Sequence, residues 1–152
     1  MQFRYDAFCG LYCGACEALL ATRRDEVEDL AAELEISAAD LRCGGCRSET
    51  KSRWCRSCHI RDCAVSREVD YCFECDDYAC EHLLSFANDQ HSHHSAVLAN
   101  LEQMLRQGVD AWLEEQKKRW TCTGCGRSHS WYEKTCPACT AELFTCVDEE
   151  SS

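Results

Sequence analysis

The chain has one proline, Pro137, seven glycines and two methionines in 152 residues. It also has no long apolar run. Nothing approaches the roughly 18 apolar residues that span a bilayer, and the start, Met1-Gln2-Phe3-Arg4-Tyr5-Asp6, carries no apolar stretch of signal-peptide length. We therefore expect a cytoplasmic location with no membrane association, where thiols stay reduced and structural disulfides are rare. Aliphatic side chains are scarce too. Leu, Ile, Val and Phe number 26, or 17 per cent, below the level at which a strongly charged chain collapses unaided. Positive charge is outweighed, with 16 bases against 27 acids and a formal net charge of −11. Such a surface repels nucleic acid except at local basic patches. Neither a glycine-rich phosphate loop nor a Gly-x-Ser-x-Gly nucleophile elbow is present.

Cysteine fills the gap, with 16 residues, about a tenth of the chain. They are clustered. Five C-x-x-C pairs stand at Cys43/Cys46, Cys55/Cys58, Cys72/Cys75, Cys122/Cys125 and Cys136/Cys139, after a first group Cys9-x3-Cys13-x2-Cys16. Cys63, Cys80 and Cys146 stand singly. Two intervening residues let the chain turn so that both sulfurs face one cation. Thiolate–metal bonding is thus the expected substitute for an apolar interior, with three to four zinc ions per chain. Each structural ion would contribute on the order of 10 kcal/mol or more to folding.

The C-terminal set is the clearest. Cys122/Cys125 and Cys136/Cys139 are ten residues apart, a zinc-ribbon spacing, with an expected hairpin bearing Trp131 and Tyr132 between them. The same Cys-x-x-Cys-Gly and Cys-Pro-x-Cys turns resemble the rubredoxin-like iron module, and tetrahedral thiolates accept either ion. Iron is therefore the alternative cofactor. Upstream stand eleven cysteines: Cys9, Cys13, Cys16, Cys43, Cys46, Cys55, Cys58, Cys63, Cys72, Cys75 and Cys80. Three four-ligand sites need one ligand more, and His59 and His82 are the candidates. One grouping joins Cys43, Cys46, Cys55 and Cys58, with Cys63, Cys72, Cys75 and Cys80 on a second ion; cross-braced pairing fits equally well. The spacing of Cys9, Cys13 and Cys16 also matches the cluster motif of radical S-adenosylmethionine enzymes, but 152 residues are too few for their barrel.

Hydrophobic periodicity predicts helices over residues 17–36, 81–86, 95–107 and 109–119, with Ser37 capping a short turn and Gly108 ending the third helix. The expected architecture is a small metal-stabilised α+β protein. A cysteine-cluster body occupies residues 1–90, a helical connector 91–119, a zinc ribbon with rubredoxin-like knuckles 120–147, and a disordered tail 148–152.

The ordered motifs Cys9-Gly10-Leu11-Tyr12-Cys13-Gly14-Ala15-Cys16, Cys43-Gly44-Gly45-Cys46-Arg47-Ser48, Cys55-x-x-Cys58-His59-Ile60-Arg61-Asp62-Cys63-Ala64, Tyr71-Cys72-Phe73-Glu74-Cys75 and Tyr78-Ala79-Cys80-Glu81 resemble those of the bacterial and archaeal family called domain of unknown function 3795. The resemblance covers roughly residues 5–90, with Ala79 where proline is expected. It implies metal binding and no reaction.

Two basic islands stand out. Residues 42–67 hold seven bases against Glu49 and Asp62, with Trp54 free to stack. Lys117, Lys118, Arg119, Arg127 and Lys134 lie near Trp120 and Trp131. Bases beside anionic thiolate centres are read first as charge balance, and nucleic-acid binding second. His91-Ser92-His93-His94 reads as an interhelical loop, and Cys146 as the best candidate for a free thiol. The expected function is a non-catalytic zinc protein acting as an interaction or adaptor module. Redox or electron transfer through iron, in a rubredoxin-like site or an iron–sulfur cluster, and nucleic-acid binding are the alternatives. The chain itself names no partner, substrate or oligomeric state.

Overall fold

A computed structural model describes residues 1–152. Eight helices run in order: α1 (Glu17–Arg23), α2 (Val27–Leu34), α3 (Ala38–Leu41), α4 (His59–Ser66), α5 (Glu81–Ala87), α6 (Val97–Gln107), α7 (Val109–Arg119) and α8 (Cys146–Ser151). Single 3-10 turns lie at Cys13–Ala15, Cys72–Glu74 and Ser92–His94.

The expected α+β class is not what the chain adopts. It is mostly helical, and its only β pairing is three isolated antiparallel bridges, Asp6 with Tyr12, Thr121 with Ser128 and Thr135 with Glu142. The cysteine turns follow one another too closely to leave strand-length segments with alternating apolar residues. No hairpin ladder carries Trp131 and Tyr132. The Trp131 N–H instead donates to the Ala15 carbonyl (3.2 Å), and its carbonyl accepts from the Cys146 N–H (2.8 Å).

The stretch expected as one helix over 17–36 is two. It breaks at Arg24–Glu26, where Asp25 takes a positive φ of 59°. The break folds α2 back, so that Val27 and Ala31 bury against Ala18, Ala21, Leu41 and Cys43. Ser37 caps α3 by accepting from the Asp40 N–H (3.1 Å). Helix α4 was not legible in the sequence, which has only Ile60, Ala64 and Val65 as apolar residues there. It begins directly after Cys58, whose sulfur accepts from the Arg61 N–H (3.5 Å).

Helices α6 and α7 match the predicted spans to within two residues. Gly108, at φ 92°, separates them, a conformation an L side chain rarely adopts. Val97, Leu101 and Met104 of α6 and Trp112 of α7 are fully buried in the main core. That core also takes Ala7, Cys9, Tyr12 and Ala15 from the first motif, Leu83 and Ala87 from α5, and Trp120, Trp131 and Cys146 from the C-terminal region. It therefore crosses the boundaries drawn at residues 90 and 119. Tyr12 meets Trp112 edge-on, with ring centroids 6.1 Å apart.

The expected frayed tail at 148–152 is corrected to the last turn and a half of α8. Thr145 and Asp148 form a reciprocal capping box, and Arg119 of α7 pairs with Glu149 at 2.6 Å. With Cys146 fully buried, the segment is tied down at its first residue.

Candidate metal centres

The C-terminal centre is built from two nearly equivalent turns. The Cys122 N–H donates to the Arg127 carbonyl (2.8 Å) and the Gly126 N–H returns to the Cys122 carbonyl (2.9 Å). Likewise the Cys136 N–H donates to the Ala141 carbonyl (2.9 Å) and the Thr140 N–H returns to the Cys136 carbonyl (2.8 Å). Each turn needs a positive φ at its fifth residue, 81° at Gly126 and 65° at Thr140.

These turns bring the sulfurs of Cys122, Cys125, Cys136 and Cys139 together, all within 4.8 Å of one another. No other set of three or more potential ligands converges this tightly. Cys122 and Cys139 are 3.5 Å apart, sulfur to sulfur, and Cys125 and Cys136 3.7 Å. Two sulfurs on a tetrahedral ion with bonds of about 2.3 Å stand about 3.8 Å apart, close to these two separations. The Gly124 N–H donates to the Cys122 sulfur (3.4 Å).

The acid–base character of this set also asks for a cation. Burial raises the Cys136 thiol, but N–H groups of Cys139 and Ala138 and the neighbouring Cys125 and Cys122 thiols outweigh it, bringing the group to about 7. Cys139 accepts an N–H from Ala141, yet the other three sulfurs drive it up to about 12. Four sulfurs this close cannot all ionise unless a positive ion sits among them. The interior here is otherwise thin: the local core is Cys122, Cys136 and Leu143.

The eleven upstream cysteines are drawn together more loosely. Seven of them, Cys9, Cys13, Cys16, Cys43, Cys46, Cys55 and Cys58, lie near one another, and Cys9 and Cys58 also neighbour Cys72. Burial raises Cys9 and Cys13 far above the ordinary thiol range, and Cys16 to about 12, with crowding from other thiols adding to it. Cys9 feels Cys46 and Cys58; Cys13 feels Cys46 and Cys16; Cys16 feels Cys43 and Cys55. Burial likewise raises Cys46 to about 11, with Cys58 and Cys55 nearby. Cys43, Cys46, Cys55 and Cys58 face one another across their two pairs, with Cys9, Cys13 and Cys16 beside them. The Gly45 N–H donates to the Cys43 sulfur (3.4 Å), in the same turn geometry as at Cys122.

The remaining four, Cys63, Cys72, Cys75 and Cys80, line a small apolar cavity of about 30 Å³ together with Leu83 and His82. Burial lifts Cys72 to about 12, and Cys80, Cys63 and Cys75 add to the shift. Arg67 donates to the Cys75 sulfur at 3.2 Å and pairs with Asp77 at 2.8 Å. His59 and His82, the two candidates for a twelfth ligand, meet each other, with ring centroids 4.2 Å apart. His82 lines the cavity of the four thiols, while His59 directly follows Cys58 at the start of α4.

The loops carrying the upstream cysteines are held by charge. Asp6 is almost fully buried, accepts from the Tyr71 hydroxyl (2.6 Å), and pairs with Arg4 (3.2 Å) and Arg47 (3.3 Å). Arg47 lies over the Phe8 ring at 4.0 Å and the Tyr71 ring at 4.6 Å, and donates to the Asp6 and Asp70 carbonyls. Arg56 and Arg61 reach backbone carbonyls of the Cys55 loop and its neighbours, and Arg56 also pairs with Asp40 (2.7 Å). The partners of these arginines were not legible in the sequence, where the island at 42–67 reads first as charge balance beside thiolates and second as a nucleic-acid patch.

A family model described as "Protein of unknown function (DUF3795)" matches residues 5–85. The chain belongs to that family. The match ends within α5, so α6, α7 and the C-terminal centre lie beyond it. Neither the curated proteins nor the solved structures contain a match to the chain. No helix is long and apolar enough to cross a membrane. Cys146, singled out as a free thiol, is fully buried in the main core and stands apart from the converging set.

Proposed function

We propose that this member of the DUF3795 family is a zinc protein whose ions are structural and which serves as an interaction or adaptor module. One observation carries the reading: four sulfurs, Cys122, Cys125, Cys136 and Cys139, converge within 4.8 Å in a region almost devoid of aliphatic core. A closed set of four thiolates leaves no open coordination position for substrate, which is the pattern of a structural site. A redox-inert ion suits that role. The eleven upstream cysteines extend the reading to two or three further ions in the cysteine-rich body.

The interaction role is supported by side chains left free beside the metal loops. Trp54 is 59% exposed and Val65 58% exposed. Nucleic-acid binding is disfavoured, because Arg47, Arg56, Arg61 and Arg67 are turned onto carbonyls, carboxylates and a sulfur of the chain itself. Elemental analysis with a visible spectrum, on protein purified without added metal, tests the proposal. The expected sample is colourless with three to four zinc ions per chain. A brown or red sample containing stoichiometric iron overturns it in favour of an iron centre.

A further inference from the structure

The loop between α5 and α6 carries a second, nitrogen-rich cluster that the thiolate centres do not use. Ring centroids of His93 and His94 are 4.2 Å apart, and those of His91 lie 5.7 and 5.0 Å from them. Two aromatic rings clamp the pair. His93 stacks on Trp131 at 4.3 Å and His94 on Phe86 at 3.8 Å, each within 20° of parallel. Trp131 is brought here from the far end of the chain, so the arrangement is a product of the fold.

The hydrogen bonds decide which ring nitrogen is free. The Asp89 carboxylate has only acceptors to offer. One oxygen takes the His91 backbone N–H (2.8 Å), and the other lies 2.7 Å from His94 Nδ1. His94 therefore carries its proton on Nδ1 and leaves the Nε2 lone pair unused. The Tyr132 oxygen accepts the His93 backbone N–H (3.5 Å) and lies 2.8 Å from His93 Nδ1. In the tautomer that donates from Nδ1 to this oxygen, His93 too presents a bare Nε2. An imidazole whose Nδ1–H is held by a carboxylate or phenol is the arrangement that orients histidine toward a metal.

We propose that His93 and His94, joined by His91, form a separate site for one divalent transition ion of the imidazole-preferring class, such as Zn²⁺, Co²⁺ or Ni²⁺. The donors do not yet converge as the ribbon sulfurs do. The arm that closes the site is His91, which is exposed and bonded only through its backbone. Three imidazoles leave the remaining positions to water, so this site is open where the thiolate centres are closed. The net charge of −11 favours cation capture. Residues 91–94 and 132 lie outside the matched family region, so the site belongs to this chain's C-terminal part.

The test adds Co²⁺ at neutral pH to protein whose thiolate centres already hold their metal. Bound cobalt is counted by equilibrium dialysis and elemental analysis. One extra equivalent is expected, with weak visible bands and without the intense near-ultraviolet absorption of sulfur–cobalt charge transfer. Tryptophan fluorescence should be partly quenched, saturating at one equivalent, because Trp131 stacks on a ligand. His94→Ala should abolish the uptake. Tyr132→Phe, which keeps the ring and frees His93 Nδ1, should weaken it by about 10–100-fold. No extra equivalent overturns the proposal, as does an equivalent with sulfur charge transfer or one that survives both substitutions unchanged. The resident metal is read before cobalt is added, so failure of the zinc assignment shows separately.

Discussion

The C-terminal centre and the cysteine-rich body use the same C-x-x-C unit and reach different states of order. At 122–139 two turns lie ten residues apart, each closes its own pair of hydrogen bonds, and four sulfurs meet within 4.8 Å. At 9–80 near neighbours such as Cys46 and Cys55 are joined by sulfurs from segments about thirty to fifty residues apart, such as Cys16 with Cys43 and Cys9 with Cys58. A short loop costs little entropy to close, so local turns can pre-form a site. Long-range sites need a scaffold, and here the scaffold is the buried Asp6 with Arg4, Arg47 and Tyr71. Preorganisation at one end and dependence on distant contacts and buried charge at the other are the two halves of the comparison.

The largest expected effect comes from breaking the local centre. Replacing both Cys122 and Cys136 by Ser should remove one metal ion per chain and the associated stabilisation, on the order of 10 kcal/mol. The residues around the ribbon should lose protection from hydrogen exchange. The cysteine-rich body should keep its ions, because none of its thiols is shared with this centre. Loss of all metal from the double variant, seen by elemental analysis, would show that the two regions form one cooperative unit.

The long-range half is broken at Gly45. Its φ is 113°, and a Cβ there would stand 2.0 Å from the Arg4 carbonyl oxygen. The Cys43–Cys46 turn lies that close because the Arg4 N–H donates to the Gly44 carbonyl (2.9 Å). Gly45→Ala should cost about 3 kcal/mol through backbone strain and displacement of residue 4. Chemical denaturation with metal counting checks it: the body's ions should be lost first while the ribbon ion stays.

How much of this was legible beforehand follows the same division. The convergence of Cys122, Cys125, Cys136 and Cys139 could be read because spacing alone sets a local cluster. Helices α6 and α7 could be read because Val97, Leu101 and Met104 repeat on one face. The grouping of the upstream cysteines could not, since it depends on which distant loops meet. The bonding of Arg47 and Arg61 was hidden because a charge in sequence carries no record of its partner. The α+β expectation failed because cysteine turns were taken to imply strands, whereas only single bridges close them. The frayed tail failed at Thr145-x-x-Asp148, a capping signal that was present in the chain and passed over.

Asp6 sharpens the comparison through pH. Burial alone would raise its carboxyl, but the Tyr71 hydroxyl and Arg4 more than offset this, and the group titrates below its ordinary 3.8. A carboxylate lowered on folding contributes stability above the unfolded value and loses it as pH falls through the folded one. Asp6→Asn should therefore destabilise by about 2 kcal/mol at neutral pH. The gap from the parent should shrink below about pH 4, where Asp6 itself becomes neutral. Melting curves between pH 3 and 7, on metal-loaded protein, check the sign. A gap that stays constant would mean that shape rather than charge is what Asp6 supplies.

The smallest effect lies inside the C-terminal centre, where the two turns differ at one position. Gly126 and Thr140 occupy equivalent places, at φ 81° and 65°. A β-branched residue in that region costs about 1–2 kcal/mol. Thr140→Gly relieves that cost, gives back about 0.5–1 kcal/mol in unfolded-chain entropy, and loses the Thr140 hydroxyl's bond to the Cys139 carbonyl (2.6 Å). A net gain of about 0.5 kcal/mol is expected, visible as slower release of the ribbon ion to a competing chelator. If release instead quickens, the hydroxyl is what holds the Cys139 carbonyl in place, and the second turn is built by its side chain where the first is built by its glycine.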